Sequence, residues 1–214
     1  MNRSNTADRR PQRSPDKRQA ILDGARATFA REGYSRASID TIAAAAEVST
    51  RTLYNHFGDK ARLFETVIHT SATQVAESQL ALIDHYLSDV TDLEAALTGF
   101  ARAWATPNPA YADHLALVQQ IRAEIGHLPP AVIEAWHEAG PRRVHRELGR
   151  RLRVLADRGL LRVDDADRAA FHLALLASAE VDSQTRHGAL PITDAEIAAM
   201  ATAGVRTFLR GHQP

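Results

Sequence analysis

Ten histidines and no cysteine make up the chain's supply of side chains that could ligate a metal or move a proton near neutral pH. Without cysteine there is no thiol nucleophile, no disulfide framework and no thiolate metal site. The histidines fall into no catalytic spacing: there is no His-Glu-x-x-His, no glycine loop to cradle a phosphate and no Gly-x-Ser-x-Gly elbow. His137 and His145 are separated by Gly140-Pro141, a break that argues against a shared metal. Glu124-Ile125-Gly126-His127 supplies one Glu-x-x-His spacing, of the kind that di-metal helical bundles need twice, and it sits at an expected helix end. A small helical metal-binding enzyme is the alternative this leaves; neither a metal nor another cofactor is expected.

A denser set of polar groups lies between Ser38 and Lys60, which reads SIDTIAAAAEVSTRTLYNHFGDK. Thr50, Arg51 and Thr52 could reach base edges from the start of a short helix. Arginine pairs bidentately with guanine, and threonine contacts either a base edge or a thymine methyl. Tyr54, His56 and Lys60 bring hydroxyl, imidazole and ammonium groups suited to phosphates, which fix register but carry no sequence information. Ser38, Ser49 and Asn55 complete the candidate set.

These groups can act together only if two short helices hold them. Ser38 is a favourable N-cap for a helix through Ile39, Ile42, Ala43 and Ala46, and Ser49 for another to about His56. Between them Glu47-Val48-Ser49 forms the turn, Ala43 to Ala46 allow a close approach, and Leu53 and Phe57 anchor the second helix. That is a helix-turn-helix pattern. Upstream, Ile21, Leu22, Ala25 and Phe29 form the stripe of a helix over Asp16 to Arg31, which Gly33 can close. Downstream, Asp59 can cap a long fourth helix carrying Leu63, Phe64, Val67 and Ile68.

Residues 18 to 64 resemble the DNA-binding region of the TetR/AcrR family of bacterial transcriptional regulators. The matching pattern is Ala27, Phe29, Gly33, Tyr34, Ile42-Ala43, Val48-Ser49, Thr52-Leu53-Tyr54, His56-Phe57, Lys60 and Leu63. The sequence departs from it at Glu47 and Arg51, where the family often has glycine. The resemblance implies an all-helical homodimer that binds a palindromic double-stranded DNA operator and is released by a small-molecule effector, most simply as a repressor.

The rest of the chain keeps a helical period, with helices expected over about 89–106, 110–126, 131–158, 165–187 and 193–210. Gly140-Pro141 should kink the third of these or split it. The expectation is an all-α protein of about nine helices. Its divisions are a flexible basic arm at 1–15, a three-helix DNA-binding domain at 16–62, and a helical effector-binding and dimerisation domain at 63–214. Residues 169 to 181 (AAFHLALLASAEV) are apolar around the whole helix, so a second surface should cover them. The last helix offers Ile197, Met200, Ala201, Gly204 and Phe208 on one stripe. Two such helices from each subunit would make an isologous four-helix interface. An effector pocket is expected among Trp104, Tyr111, His114, Leu117, Ile121, Trp136, Phe171 and Leu175, apolar with a few polar groups. The basic run Arg142, Arg143, Arg146, Arg150, Arg151 and Arg153 reads as a solvated helix face.

Twenty-six basic residues against 26 acidic ones leave no net charge, and taken whole that balance gives no sign of a nucleic-acid or acidic-membrane partner. Split at residue 62, the chain has 12 basic and 7 acidic residues before that point and 14 and 19 after it. A head suited to phosphates is therefore joined to an acidic body. Apolar runs of about five residues are far short of the roughly 18 a membrane span needs, so a soluble, cytoplasmic protein with no membrane partner is expected.

Overall fold

The computed structural model describes residues 14–186 and 189–213, so the arm expected at 1–15 lies, up to residue 13, outside the described residues. Among the described residues there are ten α-helices and no strand. They are α1 (Ser14–Arg36), α2 (Ile39–Ala45), α3 (Thr50–Phe57), α4 (Lys60–Leu87), α5 (Leu93–Ala105), α6 (Ala112–Glu124), α7 (Pro130–Ala139), α8 (Pro141–Asp157), α9 (Ala166–Gln184) and α10 (Asp194–Gly211). The tenth helix arises because the expected 131–158 segment splits at Gly140, whose backbone is not helical, with Pro141 starting the next helix. No helix among the described residues is long and apolar enough to cross a membrane.

Side-chain caps set most of the helix starts. Ser38, Ser49, Asp92, Asp165 and Thr193 each accept a hydrogen bond from a backbone N–H of the first turn of the following helix. Asp59 does the same for α4, accepting from the Arg62 N–H at 2.8 Å. Such caps satisfy donors the helix cannot, each contributing about 1 kcal/mol.

Two compact units result. The first comprises residues 14–68 and 113–129, so α6 belongs with the N-terminal helices, whereas the sequence suggested a single boundary after residue 62. Its buried side chains include Ile21, Ala25, Phe29, Ile42, Leu53, Leu63, Leu117 and Ile121. The rings of Phe29, Tyr34 and Phe64 cluster there, with centroids 4.7 to 6.3 Å apart.

The second unit comprises residues 69–112 and 130–213. Its core is aliphatic and draws on Ile83, Leu97, Phe100, Leu148, Leu152, Leu173, Val205 and Phe208. Here α10 packs on α9 and α5, and α8 on α9 and α7. The α9–α10 approach is set by Gly204, where an added Cβ would lie 2.8 Å from the Leu176 carbonyl carbon and closer still to its oxygen. Of the expected stripe, Ile197, Ala201, Gly204 and Phe208 are buried within their own chain, while Met200 is half-buried. On α9 only part of the apolar surface is covered: Ala169, Ala170, Leu173, Ala174, Ala177 and Val181 are buried, while Phe171 and Leu175 stand 50% and 46% exposed.

Candidate nucleic-acid interface

The recognition element is built by two copies of one local device, Ser-x-x-Thr. Ser38 Oγ accepts from the Thr41 N–H at 3.0 Å and Ser49 Oγ from the Thr52 N–H at 3.1 Å. In each pair the two hydroxyls are also hydrogen-bonded, at 2.8 Å. Ser38, Ser49 and Thr52 therefore spend their hydroxyls on starting α2 and α3. The repeated spacing is visible in the sequence and marks Thr41, which was not among the candidates.

The turn between the helices closes as a Schellman motif. The Val48 N–H donates to the Ala43 carbonyl at 3.0 Å and the Glu47 N–H to the Ala44 carbonyl at 3.2 Å. This geometry needs a left-handed residue after the helix, and Glu47 supplies it at φ 54°. The glutamate that departs from the family pattern thus keeps the turn, at a conformational cost that glycine would avoid.

Along α3 burial alternates with the helical period. Leu53 and Phe57 are buried, Arg51, Tyr54 and Asn55 are exposed, and Thr50, Thr52 and His56 are half-buried. The short helix thus presents a guanidinium, a phenol and an amide on one side, with its opposite side held in the core. Arg18, which nothing in the motif singled out, places its guanidinium 5.2 Å from the centre of the Phe57 ring. Lys60, the first residue of α4, holds its ammonium 4.6 Å from the centre of the Tyr34 ring. Burial lowers the Lys60 pKa below the ordinary lysine value, and the negative charge of Glu124 opposes that shift. Arginine, tyrosine and lysine, brought together by α3 and the first residue of α4, are the groups that engage phosphates and base edges.

Two family descriptions match the chain. One, bacterial regulatory proteins of the tetR family, matches residues 21–67. The other, the C-terminal domain of AefR-like transcriptional repressors, matches residues 95–214. The chain belongs to the TetR family. Among relatives, the transcriptional repressor AcnR of Corynebacterium efficiens is 39% identical over 61 residues, 28% of this chain and 32% of AcnR. The regulator AcrR of Shigella flexneri is 38% identical over 69 residues, 32% of each chain. The match thus spans about a third of the length of these curated relatives. Solved structures are similar over nearly the whole chain. A TetR-family regulator from Mesorhizobium loti has a TM-score of 0.79 at 28% identity, covering 95% of this chain and 100% of that one. The flavonoid-responsive regulator FrrA has a TM-score of 0.73 at 27% identity, covering 94% and 98%.

The residues expected to line an effector pocket in this TetR-family chain are distributed over both units. In the first, α6 carries His114, Leu117 and Ile121, and burial lowers the His114 pKa to about 4. In the second, Trp104 packs beside Phe100 with ring centroids 5.4 Å apart, the Tyr111 hydroxyl donates to Ser78 Oγ, and Trp136 is buried beside His137. Phe171 and Leu175, by contrast, lie on the outer face of α9 and not in its core.

Five of the six arginines in the basic run on α8 are ion-paired. Arg142 meets Glu134 and Glu138, Arg143 meets Glu77 at 2.7 Å, and Arg146 meets Glu138 at 3.4 Å. Arg150 meets Glu147 at 2.7 Å, while Arg151 bridges Asp84 and Glu147 at 2.6 and 2.8 Å. Hydrogen bonds from Arg150 and Arg151 hold the Glu147 pKa down to about 2. Among the described residues no group of three or more His, Asp or Glu is placed to hold a metal ion. The Glu124 carboxylate accepts from the N–H and hydroxyl of Ser35 instead.

Proposed function

We propose that this protein is a homodimeric, sequence-specific DNA-binding repressor of transcription, acting in the cytoplasm and released from a palindromic operator by a small-molecule effector. The observation that carries the reading is α3: eight residues, capped by Ser49, anchored by Leu53 and Phe57, with Arg51, Tyr54 and Asn55 left exposed. In this reading Arg51 and Thr50 contact bases, and Tyr54, Asn55, His56 and Lys60 contact phosphates. Ser38 and Ser49 act through the helix starts they cap, and Thr52 through its bonds to Ser49. DNA binding is assigned to residues 16–62, and effector binding and dimerisation to 63–214.

Dimerisation is supported by the outer face of α9. Half-exposed Phe171 and Leu175 form an apolar surface that a second copy would cover about a two-fold axis. Two recognition helices then meet successive major grooves roughly 34 Å apart. Trp104, Tyr111 and Trp136 of the second unit support an effector with an apolar, ring-containing body, a chemistry shared with the flavonoids to which FrrA responds. An effector that favours a different helix arrangement lowers operator affinity by its differential affinity for the two states.

Selection from a random duplex library with the purified protein tests the reading. It should enrich an inverted repeat. Arg51→Ala should relax one position of each half-site at a cost of about 1–3 kcal/mol, while Tyr54→Ala with Lys60→Ala weakens all duplexes alike and reduces the salt slope. Leu175→Glu should give a monomer by light scattering and lose operator binding. Enrichment of no sequence, or unchanged affinity in the Tyr54/Lys60 double variant, defeats it.

A further inference from the structure

Gly33, Tyr34 and Ser35 lie in the last turn of α1, and a side chain 89 residues beyond Ser35 holds that turn. Glu124, the last residue of α6, accepts from the Ser35 N–H at 3.0 Å and from the Ser35 hydroxyl at 3.2 Å, both through Oε2. Its other oxygen seats against Gly33, where an added Cβ would lie 2.5 Å from Oε1 and 2.9 Å from the Gln120 amide oxygen. Gly33 has φ +78°, a conformation in which a side chain is strained, so only glycine both turns the chain and leaves room for the carboxylate. The residue held between these two contacts is Tyr34. Its ring is packed against Phe64 on one flank and carries the Lys60 ammonium. At the other end of α6, Asp113 lies 3.6 Å from Arg26 of α1, so the two helices are tied at both ends.

We propose that Glu124 is a positioning residue for DNA binding: by gripping the two neighbours of Tyr34, its carboxylate fixes the ring on which Lys60 rests and so aims the Lys60 ammonium at a phosphate. The inference rests on the assignment of Lys60 as a phosphate contact. Burial lowers the Lys60 pKa, and the nearby Glu124 charge opposes that shift. The consequence is a short route from the C-terminal half of the sequence to the DNA-contacting surface. Since α6 lies within the stretch that matches the repressor C-terminal domain, a displacement of α6 reaches Lys60 through Ser35 and Tyr34 without bending α4. Coupling of this kind needs a physical connection with two arrangements: here the Glu124 carboxylate is on Ser35, and its release would be the second.

The test uses the full chain and a mixed-sequence DNA duplex, with affinity measured from low to physiological salt. Glu124→Gln keeps an oxygen for the Ser35 donors while removing the charge, and should bind as tightly as wild type or up to about threefold tighter. Glu124→Ala frees Tyr34 and should bind about three- to tenfold more weakly than Glu124→Gln, with a salt slope lower by about one released ion. In a Lys60→Met background the two substitutions should bind equally. Ser35→Ala, which deletes only the hydroxyl bond, should fall between them and carries the same comparison if Glu124→Ala does not fold. Equal binding by the Gln and Ala variants, or a difference that persists without Lys60, overturns the proposal. A wild-type protein that binds no duplex at all refutes the DNA-binding reading instead.

Discussion

Gly204→Ala sets two effects of opposite sign against each other. In an exposed helix the change would stabilise by about 1 kcal/mol, since alanine is the better helix former. At this position the new Cβ would stand 2.8 Å from the Leu176 carbonyl carbon and nearer its oxygen. Carbon atoms prefer about 3.5 Å or more, so α9 and α10 must part by roughly 0.7 Å at least. The obstacle is backbone and cannot rotate away, which places the substitution at the upper end of the overpacking range, about 3 kcal/mol. A gap of that size also forfeits a quarter or more of each dispersion contact along the seam. The net expectation is a loss of about 2 kcal/mol. Equilibrium urea unfolding followed by circular dichroism measures it, at one fixed protein concentration so that any self-association contributes equally to both proteins. An alanine variant as stable as wild type, or more so, would show that the α9–α10 seam is looser than the structure has it.

Two further outcomes follow from single residues. Glu47→Gly removes a side chain from a left-handed backbone, where an L-residue costs about 1–2 kcal/mol, and adds the entropy glycine loses on folding. Stability should rise by about 0.5–1 kcal/mol in the same unfolding assay, and a loss would mean that the glutamate side chain itself supports the turn. His114 is held neutral by burial, with its pKa lowered to about 4 from an ordinary 6.5. The unfolded chain therefore takes up this proton first as pH falls. The stability linked to His114 is fully present above pH 6.5 and is lost progressively down to pH 4, by up to about 3 kcal/mol. His114→Gln should flatten the dependence of the urea midpoint on pH across that window, and an unchanged slope would show that other groups set it.

What could be read from the sequence was local. The caps at Ser38 and Ser49, the anchors Leu53 and Phe57, the break at Gly33 and the split at Gly140-Pro141 each depend on neighbours within a few residues, where backbone stereochemistry and helical period decide. What could not be read was which distant surface meets a given face. The stripe on α10 was correct as a stripe, but periodicity does not say what covers it, and α5 and α9 of the same chain do. The apolar belt of α9 likewise hid its division into a covered side and an open one bearing Phe171 and Leu175. The place of α6 rests on Ser35–Glu124 and Arg26–Asp113, contacts across 87 to 89 positions that leave no local pattern.

Arginine density alone would have directed attention to the wrong helix. Six arginines of α8 stand closer together than the basic groups of the head, yet five of them meet five carboxylates, Glu77, Asp84, Glu134, Glu138 and Glu147, so little of that surface's charge is left over. Exposed ion pairs of this kind contribute only about 0–1 kcal/mol each, and a phosphate could in principle displace them. Doing so would leave the displaced carboxylates facing the phosphate, a repulsion that cancels the gain. The first 62 residues, by contrast, hold 12 basic groups against 7 acidic ones, and Arg51 and Lys60 sit at the starts of α3 and α4, where the positive helix ends favour an anion as well. Binding to a polyanion responds to the charge left over after internal pairing. That remainder, more than the number of arginines, separates the recognition helix from α8.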